Sequence, residues 1–157
     1  MENKRLPLRI GVGAILINKE KKIFVGKRKD HPNNDKWQMP QGGVNEGEDL
    51  LSAMRRELEE ETSVKSIKIL KELDDWTVYE LPDYLLGKIW KGKYRGQKQK
   101  WFILKFTGSD DEINLKTSHP EFIEWKWADP ETIPKMIVDF KKTLYESLLL
   151  KIKPFIS

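Results

Sequence analysis

The chain has 157 residues, with 29 Lys and Arg against 25 Asp and Glu, a formal net charge of +4, and no cysteine. That length suits one hydrophobic core, so residues 1–157 are read as a single domain, and the missing cysteines exclude a disulfide framework, thiolate metal sites and a cysteine nucleophile. A hydrophobic content of 38% with 6 Trp and 6 Phe sets the chain apart from aromatic-poor disordered sequences. No apolar run nears the roughly 20 residues needed to cross a bilayer and no signal-peptide layout is present, so a cytoplasmic protein without membrane contact is expected.

Residues 10–17, IGVGAILI, read as a buried strand, and the polar turn INKEKK joins them to a second strand, IFVGKR. The segment KDHPNNDKW is rich in turn formers and is expected as an exposed loop leading into WQMPQGGVNEGED. From Glu48 to Glu61 there is no Gly or Pro, and Leu51, Met54 and Leu58 form one apolar stripe on a helix. SIKIL, DWTVYEL, KWFILKF and FIEWKWA then read as strands from their β-branched and aromatic content. A closing helix is expected over residues 137–152, with Pro154 as its stop. The class is α+β, an α/β/α sandwich with a mixed central sheet between helices.

Charge is distributed in two blocks. Glu46, Glu48, Asp49, Glu57, Glu59, Glu60 and Glu61 crowd one helix and its approach, while KIWKGKYRGQKQK (88–100) holds bases and no acid. Glu57, Glu60 and Glu61 stand at i, i+3 and i+4 on one helical face, where like charges cost about 0.2–0.5 kcal/mol per pair and where the C-terminal end of the dipole disfavours them. Two explanations are open on the residues alone. The face is solvated, with Arg55 and Arg56 pairing Glu59 and Glu60, or its hard oxygen ligands take a divalent cation such as Mg²⁺ or Mn²⁺.

The surrounding sequence favours the cation. Residues 42–64, GGVNEGEDLLSAMRRELEEETSV, resemble the Nudix box, G-x5-E-x7-R-E-U-x-E-E-x-G-U with U a bulky aliphatic, through Gly42, Glu48, Arg56, Glu57, Leu58, Glu60, Glu61 and Val64. Ser63 departs from it, standing where the family has Gly, which should cost some capping stability and leave the ligands in place. WQMPQGG, DWTVYELP, GQKQKWFILKFTG, EINL, PEFIEWKWA and DFKKTLYE further resemble the subgroup that holds bacterial RNA pyrophosphohydrolases and asymmetric diadenosine tetraphosphate hydrolases. The resemblance implies the Nudix α/β/α fold and hydrolysis of a phosphoanhydride with Mg²⁺ or Mn²⁺ as cofactor. By position it implies Glu57, Glu60 and Glu61 as metal ligands, Glu60 also taking the proton from water, Arg56 holding the glutamates, Gly42 offering its carbonyl, and Glu121 as an additional ligand.

In the basic stretch Arg95, Lys98 and Lys100 stand beside Trp90, Tyr94 and Trp101, a mix suited to phosphates and bases; the plainer reading is a solvated loop whose aromatics are core. The resemblance favours a polyphosphate site there, with Arg9, Arg28, Tyr79, Gln97, Lys98 and Lys100 near substrate, Phe140 as a stacking face and Lys141 as a phosphate contact. His31 and His119 sit beside prolines in polar segments and are read as solvated. The expected partner of a monomeric enzyme is RNA with a 5′-triphosphate, trimmed to a monophosphate; the alternative is a dinucleoside polyphosphate cut to ATP and AMP. A non-catalytic nucleotide-binding module does not suit a box with every carboxylate present.

Overall fold

The computed structural model describes residues 6–29 and 36–156. The turn-rich segment 30–35, with His31, lies outside the described residues. The strands β1 (Leu8–Ile17), β2 (Ile23–Arg28), β3 (Trp37–Gln38), β4 (Gln41–Gly43), β5 (Ile67–Glu72), β6 (Thr77–Glu80), β7 (Gly96–Phe106) and β8 (Phe122–Ala128) form one sheet. Its spine runs β3-β2-β1-β7-β5, with β4 also on β1, β6 on β7 and β8 on β2. β1 and β7 pair in parallel from Leu8 with Gly96 to Ile17 with Lys105, and the remaining pairings are antiparallel, so the sheet is mixed as expected.

β1 is apolar on both sides because both are covered. Val12, Ala14 and Leu16 meet Ala53, Met54 and Leu58 of helix α1 (Leu50–Thr62), whereas Ile15 and Ile17 join a core with Leu144, Tyr145, Leu148 and Ile152 of helix α3 (Lys142–Ile156). The expected sandwich of helix, sheet and helix is present. The opening hairpin closes on Asn18, whose Oδ1 accepts the N–H groups of Glu20 at 3.1 Å and Lys22 at 2.9 Å.

α1 starts two residues later than expected because Asp49 is its N-cap, accepting the Ser52 N–H at 2.7 Å. It ends at Ser63, which adopts the left-handed conformation (φ 68°) that glycine ordinarily fills. A side chain there is disfavoured by about 1–2 kcal/mol. The Ser63 hydroxyl offsets part of this by donating to the Asn114 carbonyl at 2.7 Å.

Two boundaries differ from the sequence expectation in ways that matter for the site. The closing helix starts later than expected: after α2 (Ile133–Met136) the backbone is extended at Ile137 and makes a 3₁₀ turn at Asp139–Lys141, and α3 begins only at Lys142. Pro154 does not stop α3, which runs on to Ile156. The hydrogen bond Pro154 forfeits would go to the carbonyl of Leu150, an exposed residue, while Phe155 and Ile156 pack onto the core and hold the last turn. The other difference is β7, which begins at Gly96, four residues before the expected strand. GQKQ is therefore strand rather than loop, and period-two alternation sorts its side chains onto opposite faces.

Gly13 lies under the indole of Trp101, which is fully buried; a Cβ there would sit 2.3 Å from the ring. Gly13→Ala is expected to destabilise the fold by about 1–3 kcal/mol, the range for overpacking a filled core. Urea unfolding followed by tryptophan fluorescence checks this.

Candidate active site

The acidic face of α1 is organised by one guanidinium. Arg56 donates from Nε and a terminal nitrogen to both oxygens of Glu48, at 2.8 and 2.9 Å, in a bidentate pair. The same terminal nitrogen donates to the Gly43 carbonyl at 2.8 Å, and the other donates to Glu57 at 2.8 Å and Glu60 at 3.2 Å. Glu48 is held down to about 2 by the Arg56 hydrogen bonds and by the Asn45 N–H. The Arg56–Glu60 pair of the solvated-face reading is thus real, but Arg56 also ties helix to β4. Glu59 pairs instead with Lys65 at 3.3 Å.

β4 presses on these carboxylates. A Cβ at Gly42 would lie 2.0 Å from the Glu57 carboxyl carbon, so only glycine lets the backbone come this close. Burial raises the Glu57 carboxyl above its usual range against the pull of Arg56. Glu61 is 3% exposed, its Oε2 has no hydrogen-bond partner, and burial with the charges of Glu57 and Glu121 holds it well above the usual carboxylate range. Arg28 and the Gln41 backbone N–H work the other way on Glu61. Glu121 also lies 3.7 Å from Arg28.

Among the described residues no three His, Asp or Glu side chains stand as a closed ligand cluster. The donor set nonetheless fits a hard divalent cation. It is all oxygen, it includes a buried carboxylate oxygen with no partner, and it adjoins a glycine cradle.

On the sheet face away from α1, Arg9, Gln97 and Tyr79 line up across β1, β7 and β6. Arg9 and the Tyr79 hydroxyl both donate to Gln97 Oε1 at 3.3 Å, and Arg9 lies over the Trp90 ring at 5.1 Å. Burial pushes the Tyr79 hydroxyl up to about 12, so it remains a donor. Phe140 tilts against Tyr79 with ring centroids 5.8 Å apart, and the buried Lys141 ammonium sits 4.9 Å from the Tyr79 ring. The break before α3 is what delivers these two residues, since the 3₁₀ turn carries both. A cleft of about 250 Å³ joins the two halves of the site, lined by Arg9, Gly43, Asn45, Glu57 and Tyr94. A larger open hollow of about 860 Å³, between the β1–β2 turn and the end of β7, contains none of the expected site residues.

Lys98 and Lys100 do not lie with Arg9, Gln97 and Tyr79. They alternate with Gln97 and Gln99 along β7 and so point to the opposite face, over the Trp76 ring at 4.8 and 5.5 Å. Lys100 is 8% exposed, and its ammonium donates to the Asp74 carbonyl at 2.7 Å. Arg95 is occupied by Glu80 and the Leu6 carbonyl. His119 is exposed, its Nδ1 3.2 Å from the Ser118 hydroxyl. Gln41 and Gln99, hydrogen-bonded at 2.7 Å, belong to the groove floor and were not singled out from sequence; the signal available was the spacing of Gln97 and Gln99 in a strand-forming run.

A NUDIX domain match covers residues 7–148. The chain belongs to the NUDIX family. A Pelagibacter ubique protein named RNA pyrophosphohydrolase is 57% identical over 157 residues, covering 99% of both chains. One of that name from Rhodospirillum rubrum is 46% identical and covers 96% of this chain and 90% of its own length. Among solved structures, a Caenorhabditis elegans Ap4A hydrolase binary complex is similar with a TM-score of 0.69 at 24% identity, covering 94% of this chain and 97% of that one. An E. coli dihydroneopterin triphosphate pyrophosphohydrolase gives 0.68 at 18%, covering 92% and 99%. At these identities the structural likeness is one of fold. As a Nudix hydrolase the protein cleaves pyrophosphate bonds with a divalent metal ion. Among the described residues no helix is long and apolar enough to cross a membrane.

Two outcomes are expected from this geometry. Gly42→Ala displaces the flexible Glu57 carboxylate rather than backbone, so the protein should fold and lose about 10- to 100-fold in turnover, the range for disturbing ligand orientation; thermal melting beside steady-state rates checks both halves. Glu48 titrates near 2 in the fold against an ordinary 4.5, so its stabilising contribution is complete above 4.5 and is lost as pH falls through 2. The stability gap between the native protein and Glu48→Gln, read by urea unfolding across pH, should shrink over that window.

Proposed function

We propose that this protein is an RNA 5′ pyrophosphohydrolase, which converts a 5′-triphosphate end to a 5′-monophosphate, releases pyrophosphate and so promotes RNA decay. The observation that carries the reading is the near-complete overlap, at 57% identity, with a bacterial protein of that name. The geometry supports it: an acidic cluster adjoins a groove with cationic and aromatic walls.

Glu57, Glu60, Glu61 and Glu121, with the Gly42 carbonyl, would hold Mg²⁺ or Mn²⁺. A divalent cation supplies positive charge against the phosphate oxygens and makes water easier to ionise. Glu60 is the box glutamate open to solvent, its side chain 41% exposed against 17% for Glu57. Glu60 is therefore where attacking water can lose its proton. As the water oxygen bonds to phosphorus, the anhydride bond to the leaving pyrophosphate breaks and the proton passes to the Glu60 carboxylate. Arg56 keeps Glu57 and Glu60 oriented and spans the gap to β4. Arg9 and Arg28 face the polyphosphate, the Tyr79 hydroxyl and Gln97 anchor that wall, Phe140 offers a face for the first unpaired base, and Lys141 approaches the phosphates. Lys98 and Lys100 lie on the other face of β7, over Trp76, so this reading assigns the groove's cationic role to the arginines and Lys141.

The test compares kcat/KM on RNA bearing a 5′-triphosphate and unpaired 5′ nucleotides with that on diadenosine tetraphosphate. A preference for the RNA is expected, and a large preference for the dinucleotide would overturn the proposal. Glu60→Gln should lose about 10²–10⁴-fold in kcat, the contribution of a positioned general base, with an unchanged circular dichroism spectrum. Substantial kcat in that variant would refute the role of Glu60.

A further inference from the structure

The groove floor contains a chain of polar side chains whose direction is set at one end. A guanidinium can only donate, so Gln97 must turn its carbonyl oxygen to Arg9. The same oxygen accepts from the Tyr79 hydroxyl. With its proton so committed, Tyr79 keeps a lone pair for the Gln41 side chain, which lies within hydrogen-bonding reach. Gln41 then faces its amide nitrogen to Tyr79 and its oxygen to Gln99, whose Nε2 donates to it at 2.7 Å. The order Gln99 to Gln41 to Tyr79 to Gln97 is compatible with Arg9 and with the placement of the three amides. It leaves the Gln99 oxygen and the Gln97 nitrogen buried without partners, as observed.

Gln99 is fully buried, so it reaches substrate only through another side chain. Gln41 has a second attachment, its backbone N–H on the Glu61 carboxylate. The turn leading into it is anchored from α3, where the buried Tyr145 hydroxyl accepts the Met39 N–H at 3.0 Å.

We infer that Gln41 and Gln99 are positioning residues, holding the Tyr79 hydroxyl and, through Gln97, the Arg9 guanidinium in their orientation toward the polyphosphate. The inference rests on the proposed reading of the groove as the polyphosphate site. The two glutamines make no contact with the reacting atoms; they fix which groups in the wall donate. Hydrogen-bonded networks of this kind lose orientation when one member is removed, because the neighbours have alternative partners.

The experiment measures KM and kcat for Gln41→Met and Gln99→Leu on both 5′-triphosphate RNA and diadenosine tetraphosphate. Each variant should raise KM about tenfold, the cost of roughly one buried hydrogen bond, with kcat within about twofold. A purely structural role would lower the thermal midpoint without dividing KM from kcat. Gln41→Met keeps the backbone bond to Glu61, and Gln41 is only half-buried, so it carries the test if Gln99→Leu does not fold. In the double variant with Tyr79→Phe, Gln41→Met should add nothing to the KM of Tyr79→Phe alone, because the chain is already cut at the tyrosine. Multiplying effects, an unchanged KM, or a loss confined to kcat would each overturn the inference. Failure of the native protein to turn over either substrate would instead overturn the reading of function.

Discussion

Arg56 occupies the point where helix, loop and sheet have to agree. Its guanidinium has five donors, and the structure uses them on Glu48, Glu57, Glu60 and the Gly43 carbonyl. Without a cation at that position, three acids of α1 and the approach to it would repel one another and the Gly43 carbonyl of β4 would lose its tie to the helix. The arrangement also explains the shape of the segment between β4 and α1. Glu48 does not begin the helix, because its carboxylate turns back to Arg56 while the next residue caps. A lysine could not substitute, since a single ammonium cannot make a bidentate pair and still reach two further carboxylates.

That constraint has a counterpart in the backbone. A Cβ at Gly42 would displace the Glu57 carboxylate, and one at Gly43 would displace the Arg9 guanidinium, 2.4 Å away. The adjacent glycines serve opposite faces of the sheet. One admits the acidic cluster and the other admits the cationic wall of the groove. The two halves of the site therefore meet across a single strand, and Gln41, just ahead of the glycines, bonds to both.

Legibility in the sequence followed the range of the interactions. Glu57, Glu60 and Glu61 could be placed on one face from spacing alone, because helix periodicity is local. Their strain as a like-charge group was equally visible. The strands were found where β-branched and aromatic residues cluster, and FIEWKWA coincides with β8. Errors arose where a boundary depended on distant contacts. GQKQ joins β7 because β1 pairs with it in parallel from Leu8 and Gly96 onward, and that pairing turns Lys98 and Lys100 away from the groove. Pro154 reads as a stop, yet the packing of Phe155 and Ile156 carries the helix through it.

The sequence by itself determined the charge pattern of α1: three carboxylates on one face with an arginine among them, a pattern that the Nudix resemblance turns toward a divalent cation. Only the tertiary structure decided how those carboxylates differ. Burial separates Glu61 and Glu57 from the exposed Glu60, and burial depends on β4 and on the segment carrying Glu121, both remote from the helix in sequence. It also decided which of the many basic residues face the groove. Strand alternation gives each side chain one of two faces, and the choice follows from register, which the paired strands set together.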